Sequence, residues 1–283
     1  LTTYPYNTKS IALPGNCNIT YIDEGKGEKT LLFVHGLANY ALVWKRNIDH
    51  LKQHYRCIAI DLPGNGLSDR NDHPFGIAFF AECVNNVIVA LGLKNVCLVG
   101  HSMGGQVAIT TVLKYPQCAE RLVLCAPAGF EQFSMIEKTM YYSTLDVIGL
   151  LSTDEHNLRS SINHSFHRPQ QHAGNMIDEL IMIMRLHKPQ YYKKMLETCI
   201  KSMLEEPVHN KLHLVKQPTL VIFGKNDALI PNSLIHRMST EQLARATVKL
   251  MLNATLKMIP DCGHFVQWEK AEVVNEQVVG FCK

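Results

Sequence analysis

The stretch Val96-Cys97-Leu98-Val99-Gly100-His101-Ser102-Met103-Gly104-Gly105 decides how the rest of this chain is read. Four apolar residues run into a glycine, and a serine stands between Gly100 and Gly104. Ala108, Val112 and Tyr115 then follow at spacings of four and three. An unbroken apolar run of this length reads as a strand buried on both faces. The later stripe reads as a helix with one apolar side. A Gly-x-Ser-x-Gly junction between them reverses the chain so sharply that Ser102 takes a strained backbone conformation, and a Cβ at position 100 or 104 would collide with the turn. The hydroxyl then stands clear of the strand at a helix N-terminus, where developing negative charge is stabilised. The plainer alternative is a glycine-rich turn without chemistry; a strand before it and a helix after it weigh against that.

Working outward, short runs rich in Val, Ile, Leu and Phe recur at 31–34, 57–60, 122–125 and 220–223. None alternates with polar residues, the pattern of a parallel sheet covered by helices. Residues 19–23 alternate better, with 9–13 as an antiparallel edge partner, and 255–259 read as a last strand. Ala271, Val274, Val278 and Phe281 form one stripe of a C-terminal helix. This alternation predicts a doubly wound α/β fold whose ligand lies at the carboxyl ends of the strands.

One interval breaks the rhythm. About 90 residues separate the run ending near Cys125 from the one opening near Leu220, and helical periodicity covers 136–150, 177–186 and 191–204. Seven of the 11 methionines fall there. The expected organisation is a core of residues 1–129 and 217–283 carrying a helical cap insertion at 130–216. Methionines suit an adaptable apolar surface, or simply ordinary packing.

A serine hydroxyl is a weak nucleophile until a base, itself held by an acid, removes its proton. Phe223-Gly224-Lys225-Asn226-Asp227 places Asp227 after the run at 220–223, and Asp261-Cys262-Gly263-His264 places His264 after the last strand. Ser102, Asp227 and His264 are therefore expected to meet at one rim of one sheet. Asp61 and Asp261 compete for the acid role. Asp61, before Leu62-Pro63-Gly64-Asn65-Gly66, reads as shaping a turn, and Asp261 as ordering the His264 loop. Of the 14 histidines, His35 and His101 flank the site as loop ties. The backbone N–H groups of Leu37, after His35-Gly36, and Met103, after the nucleophile, are the expected oxyanion donors. His164, His167 and His172 match no compact zinc spacing and read as a solvated surface, so no metal is expected.

The mild net charge of +3 and the scattered Lys and Arg exclude a nucleic-acid footprint. No apolar run reaches the roughly 18 residues that span a bilayer, and a soluble chain is expected. Nine cysteines, none in a Cys-x-x-Cys pair, read as reduced thiols. A cytoplasmic location is expected, with a removed leader left open because the sequence begins at Leu1.

These elements together resemble the α/β-hydrolase superfamily: His35-Gly36, Asp61 to Gly66, Gly100 to Gly105, Asn226-Asp227 and Gly263-His264. The resemblance implies a mostly parallel sheet of about eight strands, a helical cap and no cofactor. Serine at the elbow, rather than Asp, argues against the dehalogenase and epoxide hydrolase branches. Gly263-His264-Phe265-Val266-Gln267-Trp268-Glu269 is similar to the tail of the meta-cleavage C–C bond hydrolases. His101, however, stands where those enzymes usually carry Asn, and their extra glycines after His35-Gly36 are missing. The expected activity is hydrolysis of a carboxylic ester of a small or medium apolar substrate through an acyl-enzyme. C–C hydrolysis of ring-fission diketones is the second reading, and a ligand receptor that keeps the triad is the third. A lactonase or haloperoxidase-like esterase and a homodimer are left open.

Overall fold

The computed structural model describes residues 4–143, 154–186 and 188–283. Eight strands form one sheet: β1 (Thr8–Leu13), β2 (Cys17–Glu24), β3 (Thr30–Val34), β4 (Arg56–Ile60), β5 (Val96–His101), β6 (Arg121–Cys125), β7 (Thr219–Gly224) and β8 (Ala254–Ile259). Their order is β1-β2-β4-β3-β5-β6-β7-β8. β2 runs antiparallel to β1 and β4, and every other neighbouring pair is parallel. β3, β5 and β7 are buried at every position, as unbroken apolar runs require between two helical layers. β1, at the edge, leaves Thr8, Lys9 and Ser10 in solvent.

Helices α1 (Lys45–Leu51), α2 (Ile77–Ala90) and α3 (Met103–Lys114) follow β3, β4 and β5. Between β6 and β7 come α4 (Met135–Ser143), α5 (Glu155–His164), α6 (Pro169–His172), α7 (Gly174–Arg185) and α8 (Pro189–Glu205). α9 (Thr240–Val248) precedes β8, and α10 (Val266–Glu269) and α11 (Ala271–Cys282) end the chain. α2 packs on α3 and α1 on α11, so two groups of helices flank the sheet. α11 buries Ala271, Val274 and Val278 as its stripe requires. Phe281 is only partly buried and lies 5.3 Å beneath the Arg121 guanidinium.

β4 lies on one side of β3 and β5 on the other. The chain leaving β3 therefore turns toward β4 and the chain leaving β5 toward β6, the place in an open α/β sheet where a ligand is expected.

Among the described residues the helices between β6 and β7 touch the sheet domain at several points, α7 at Tyr40 and α4 at His236 among them, and two further contacts lie nearer the site. On α8, Met195 and Leu196 are buried. Nearby, Ser202 Oγ accepts from the Ile77 N–H at 2.7 Å, and Gln106 Nε2 donates to the carbonyls of Met203 (3.1 Å) and Glu206 (2.9 Å). The second contact, at Ser165–His167, lies on the loop after β8, where Ser165 O accepts from the His264 N–H. The helices expected at 177–186 and 191–204 correspond to α7 and α8. That at 136–150 is helical over Met135–Ser143, and the remainder lies outside the described residues. The methionines divide: Met176, Met184 and Met195 are buried, whereas Met135 and Met140 on α4 are exposed. Among the described residues no helix is long and apolar enough to cross a membrane. All nine cysteines are free thiols.

Candidate active site

Ser102 sits at φ 52° and ψ −119°, between the last residue of β5 and the first of α3. A non-glycine residue held there costs about 1–3 kcal/mol, which the surroundings must offset. They do so through the backbone. Ser102 N–H donates to Cys125 O at 3.0 Å, and Ser102 O accepts from Gly105 N–H (2.9 Å) and Ala128 N–H (3.0 Å). The two glycines are obligatory for steric reasons. A Cβ on Gly100 would lie 2.4 Å from Gly104 O, and one on Gly104 would lie 2.3 Å from Val34 O.

The loops after β7 and β8 interlock. A Cβ on Gly224 would meet the carbonyl oxygens of Cys262 (2.2 Å) and Gly263 (2.3 Å). This close approach brings Asp227 Oδ2 to 2.8 Å from His264 Nδ1. The Asp227 side chain is fully shielded from solvent, and its Oδ1 accepts from the N–H groups of Leu229 (2.8 Å) and Ile230 (3.0 Å). A carboxylate only accepts, so Nδ1 carries the proton, and Nε2 of the neutral ring is the nitrogen able to receive one. Among the described residues the Ser102 hydroxyl forms no hydrogen bond. Substrate-free sites often leave that contact to tighten on binding.

His101 joins the two halves. Its Nε2 lies 3.1 Å from His264 O, and the two rings are 4.9 Å apart. Burial, reinforced by the neighbouring His264, holds the His101 ring neutral, well below the ordinary histidine range. His35 is likewise pushed down, to about 4, by burial. It accepts from Leu62 N–H at 3.0 Å and, through Nδ1–H, donates to Gly36 O at 2.8 Å, tying the loops after β3 and β4. Both are therefore loop ties.

A Cβ on Gly36 would lie 3.1 Å from Ser102 Cβ, so the turn carrying Leu37 runs beside Ser102. Met103 is the first residue of α3, where the N–H has no intrahelical partner. Among the described residues neither the Leu37 nor the Met103 N–H donates to another protein group.

Among the described residues neither competing acid is bonded to the His264 ring. Asp61 is fully buried and accepts from Tyr4 OH (2.6 Å), Ala41 N–H (2.7 Å) and Leu67 N–H (2.8 Å). Burial pushes its carboxyl up to about 6, against the pull of those donors. Asp261 is largely exposed and faces His167 Nε2 at 3.8 Å. His164 closes α5, and the side chain of His172 lies outside what is described.

Two carboxylates escaped the sequence reading. Glu269 Oε1 accepts from the Gly263 N–H at 2.9 Å and Oε2 from the His167 N–H at 3.0 Å. Burial raises its carboxyl, opposed by the N–H donors of His167, Gly263 and Arg168. With Ser165 O accepting from the His264 N–H at 2.8 Å, Glu269 fastens the His264 loop to the segment between α5 and α6. Glu131 accepts from Asn232 N–H (2.8 Å) and pairs with His236 Nδ1 (2.7 Å), fixing the chain beyond Asp227. Glu269 closes the quoted 263–269 stretch, but nothing local marks its partners; Glu131 carries no sequence signal.

The family described as alpha/beta hydrolase fold matches residues 29–271. A 2-hydroxy-6-oxononadienedioate/2-hydroxy-6-oxononatrienedioate hydrolase of Burkholderia vietnamiensis (strain G4 / LMG 22486) is 31% identical over 94% of this chain and 91% of its own. Among solved structures, a probable hydrolytic enzyme from Pseudomonas aeruginosa PAO1 aligns with a TM-score of 0.82 and 24% identity, over 99% of this chain and 96% of the other. A thermophilic esterase from Thermogutta terrifontis aligns with a TM-score of 0.79 and 22% identity, over 97% of each chain.

Proposed function

The chain belongs to the α/β-hydrolase family, and from that premise we propose that it cleaves a carboxylic ester of a small or medium apolar substrate through an acyl-enzyme on Ser102. Ser102 Oγ attacks the ester carbonyl carbon while His264 Nε2 takes the hydroxyl proton. The C–O bond to the alcohol then breaks, and His264 returns that proton to the leaving oxygen. Water, deprotonated by His264, attacks the acyl carbon and frees Ser102. Asp227 holds the imidazole by Nδ1 and stabilises its charged form. The N–H groups of Leu37 and Met103 bind the oxyanion, each contributing about 3 kcal/mol to the transition state. The helices at 130–216 act as a cap over this site. The observation that carries the reading is the 2.8 Å Asp227–His264 bond, tied through His101 to the strand end whose next residue is a serine in a strained elbow.

Charge favours a neutral ester. Asp261 is largely exposed on the loop that carries His264. A substrate with two carboxylates would meet repulsion there. Phe166, stacked on Phe265 at 4.8 Å, offers an apolar wall beside His264 instead. The relative's printed substrate and the shared 263–269 stretch favour C–C hydrolysis as the second reading. A panel of p-nitrophenyl esters beside a vinylogous ring-fission diketone separates them. Turnover of short and medium esters, absent in Ser102→Ala, is expected; a preference for the diketone by kcat/KM would overturn the ester reading.

A further inference from the structure

Away from this rim, one group of three metal-ligating side chains converges among the described residues: Cys17, Asp69 and His73. One ligand atom from each lies within 4.8 Å of the other two. Cys17 opens β2, and Asp69 and His73 come from the loop after β4. We propose that these three residues form a zinc-class site, with the fourth position left to a water.

The chemistry of the set matches such an ion. Zinc takes thiolate sulfur, imidazole nitrogen and carboxylate oxygen in a tetrahedral array. Cys17 is 1% exposed and His73 9%, while Asp69 keeps partial contact with solvent, from which a water completes the array. One thiolate and one carboxylate cancel the charge of a divalent cation, which suits a low-dielectric setting. Cys17 releases its proton to solvent as the ion binds.

The supporting contacts already hold the ligands. Asp69 Oδ1 accepts from Asn71 N–H at 3.0 Å, and Oδ2 accepts from Asn18 N–H. The His73 ring is stacked on Phe79 at 5.3 Å and meets Phe75 edge-on at 5.9 Å. His73 Nε2 now lies 2.7 Å from Asp69 Oδ1. Metal entry opens that pair and draws the Cys17 thiol inward by about 1 Å, a side-chain adjustment given zinc bonds of about 2.0–2.3 Å. The consequence is structural. The same loop meets α8, where Lys194 pairs with Asp72 at 2.8 Å and a Cβ on Gly64 would lie 2.5 Å from Met195 Sδ. The ion would brace the β1–β2 hairpin and this loop as one unit.

The test needs no turnover. Metal-stripped protein is titrated with Co2+, then with Zn2+. One equivalent of cobalt should give thiolate charge-transfer absorption and the strong visible bands of a tetrahedral site. Zinc should remove those bands and raise the thermal midpoint. Cys17→Ser and His73→Ala should each abolish the bands, and Cys118→Ser should keep them, with circular dichroism confirming that each variant is folded. No stoichiometric cobalt spectrum in the wild type, or an unchanged spectrum in folded Cys17→Ser, would overturn the site.

Discussion

The Ser102 half of the rim and the Asp227–His264 half are fixed by different physics. Ser102 is held by backbone alone: two glycines pressed against carbonyl oxygens and hydrogen bonds to backbone groups of Cys125, Gly105 and Ala128. His264 is held by side chains and by a distant segment. Asp227 grips its ring, His101 its carbonyl, and Ser165 its N–H, while Glu269 clamps the preceding Gly263 to His167. The first half is therefore rigid by local construction. The second depends on how the helices between β6 and β7 are seated.

The largest effects should strip one half of its chemistry. Ser102→Ala should lower ester kcat/KM by at least about 10⁴-fold with the melting temperature nearly unchanged, since a triad acts as a unit. Retained turnover would move the nucleophile elsewhere. Gly104→Ala attacks the construction instead. Its methyl, 2.3 Å from Val34 O, should cost about 3 kcal/mol or more of stability, read by denaturant melts. An unperturbed melt would show that the elbow yields more easily than its contacts imply.

Glu269→Gln is the sharper probe of the second half. Where Glu269 receives N–H donors on both oxygens, an amide presents one donor against another. We expect kcat to fall about tenfold, with KM changed less and phosphonate labelling of Ser102 slowed in parallel. A lower melting temperature with unchanged kcat would reduce Glu269 to a structural tie.

The smallest expected effect is a pH slope. The folded carboxyl of Asp61 titrates at about 6, above its unfolded value, so its contribution to stability is lost as pH rises toward 6. His35, titrating at about 4, works the other way: its contribution is lost as pH falls below the ordinary histidine range. Asp61→Asn removes the first and leaves the second. Its stability, followed by thermal melts, should climb more steeply than the wild type's between pH 4 and 6. Parallel curves would contradict the assignment.

The same contrast governs what the sequence could reveal. The elbow is legible because its sequence signature lies within six residues, and the strands because each is an unbroken apolar run. Asp227 and His264 are read from their place after β7 and β8, since parallel strands put their carboxyl ends on one side. The role of Glu269 is hidden because its partner His167 lies about 100 residues away, on the segment between α5 and α6. The Cys17, Asp69 and His73 cluster is hidden for the same reason: spacing along the chain reports only ligands that the chain itself brings together. α4, predicted from periodicity, buries no residue of its own, so its apolar stripe marked a helix but not its neighbour.

Mass-spectrometric mapping of a fluorophosphonate adduct tests most directly that three remote side chains converge on one reaction. The account predicts a single stoichiometric adduct on Ser102, forming at least about 100-fold more slowly in His264→Ala and in Asp227→Ala. An adduct on another residue, or labelling of Ser102 at the wild-type rate without His264, would contradict it.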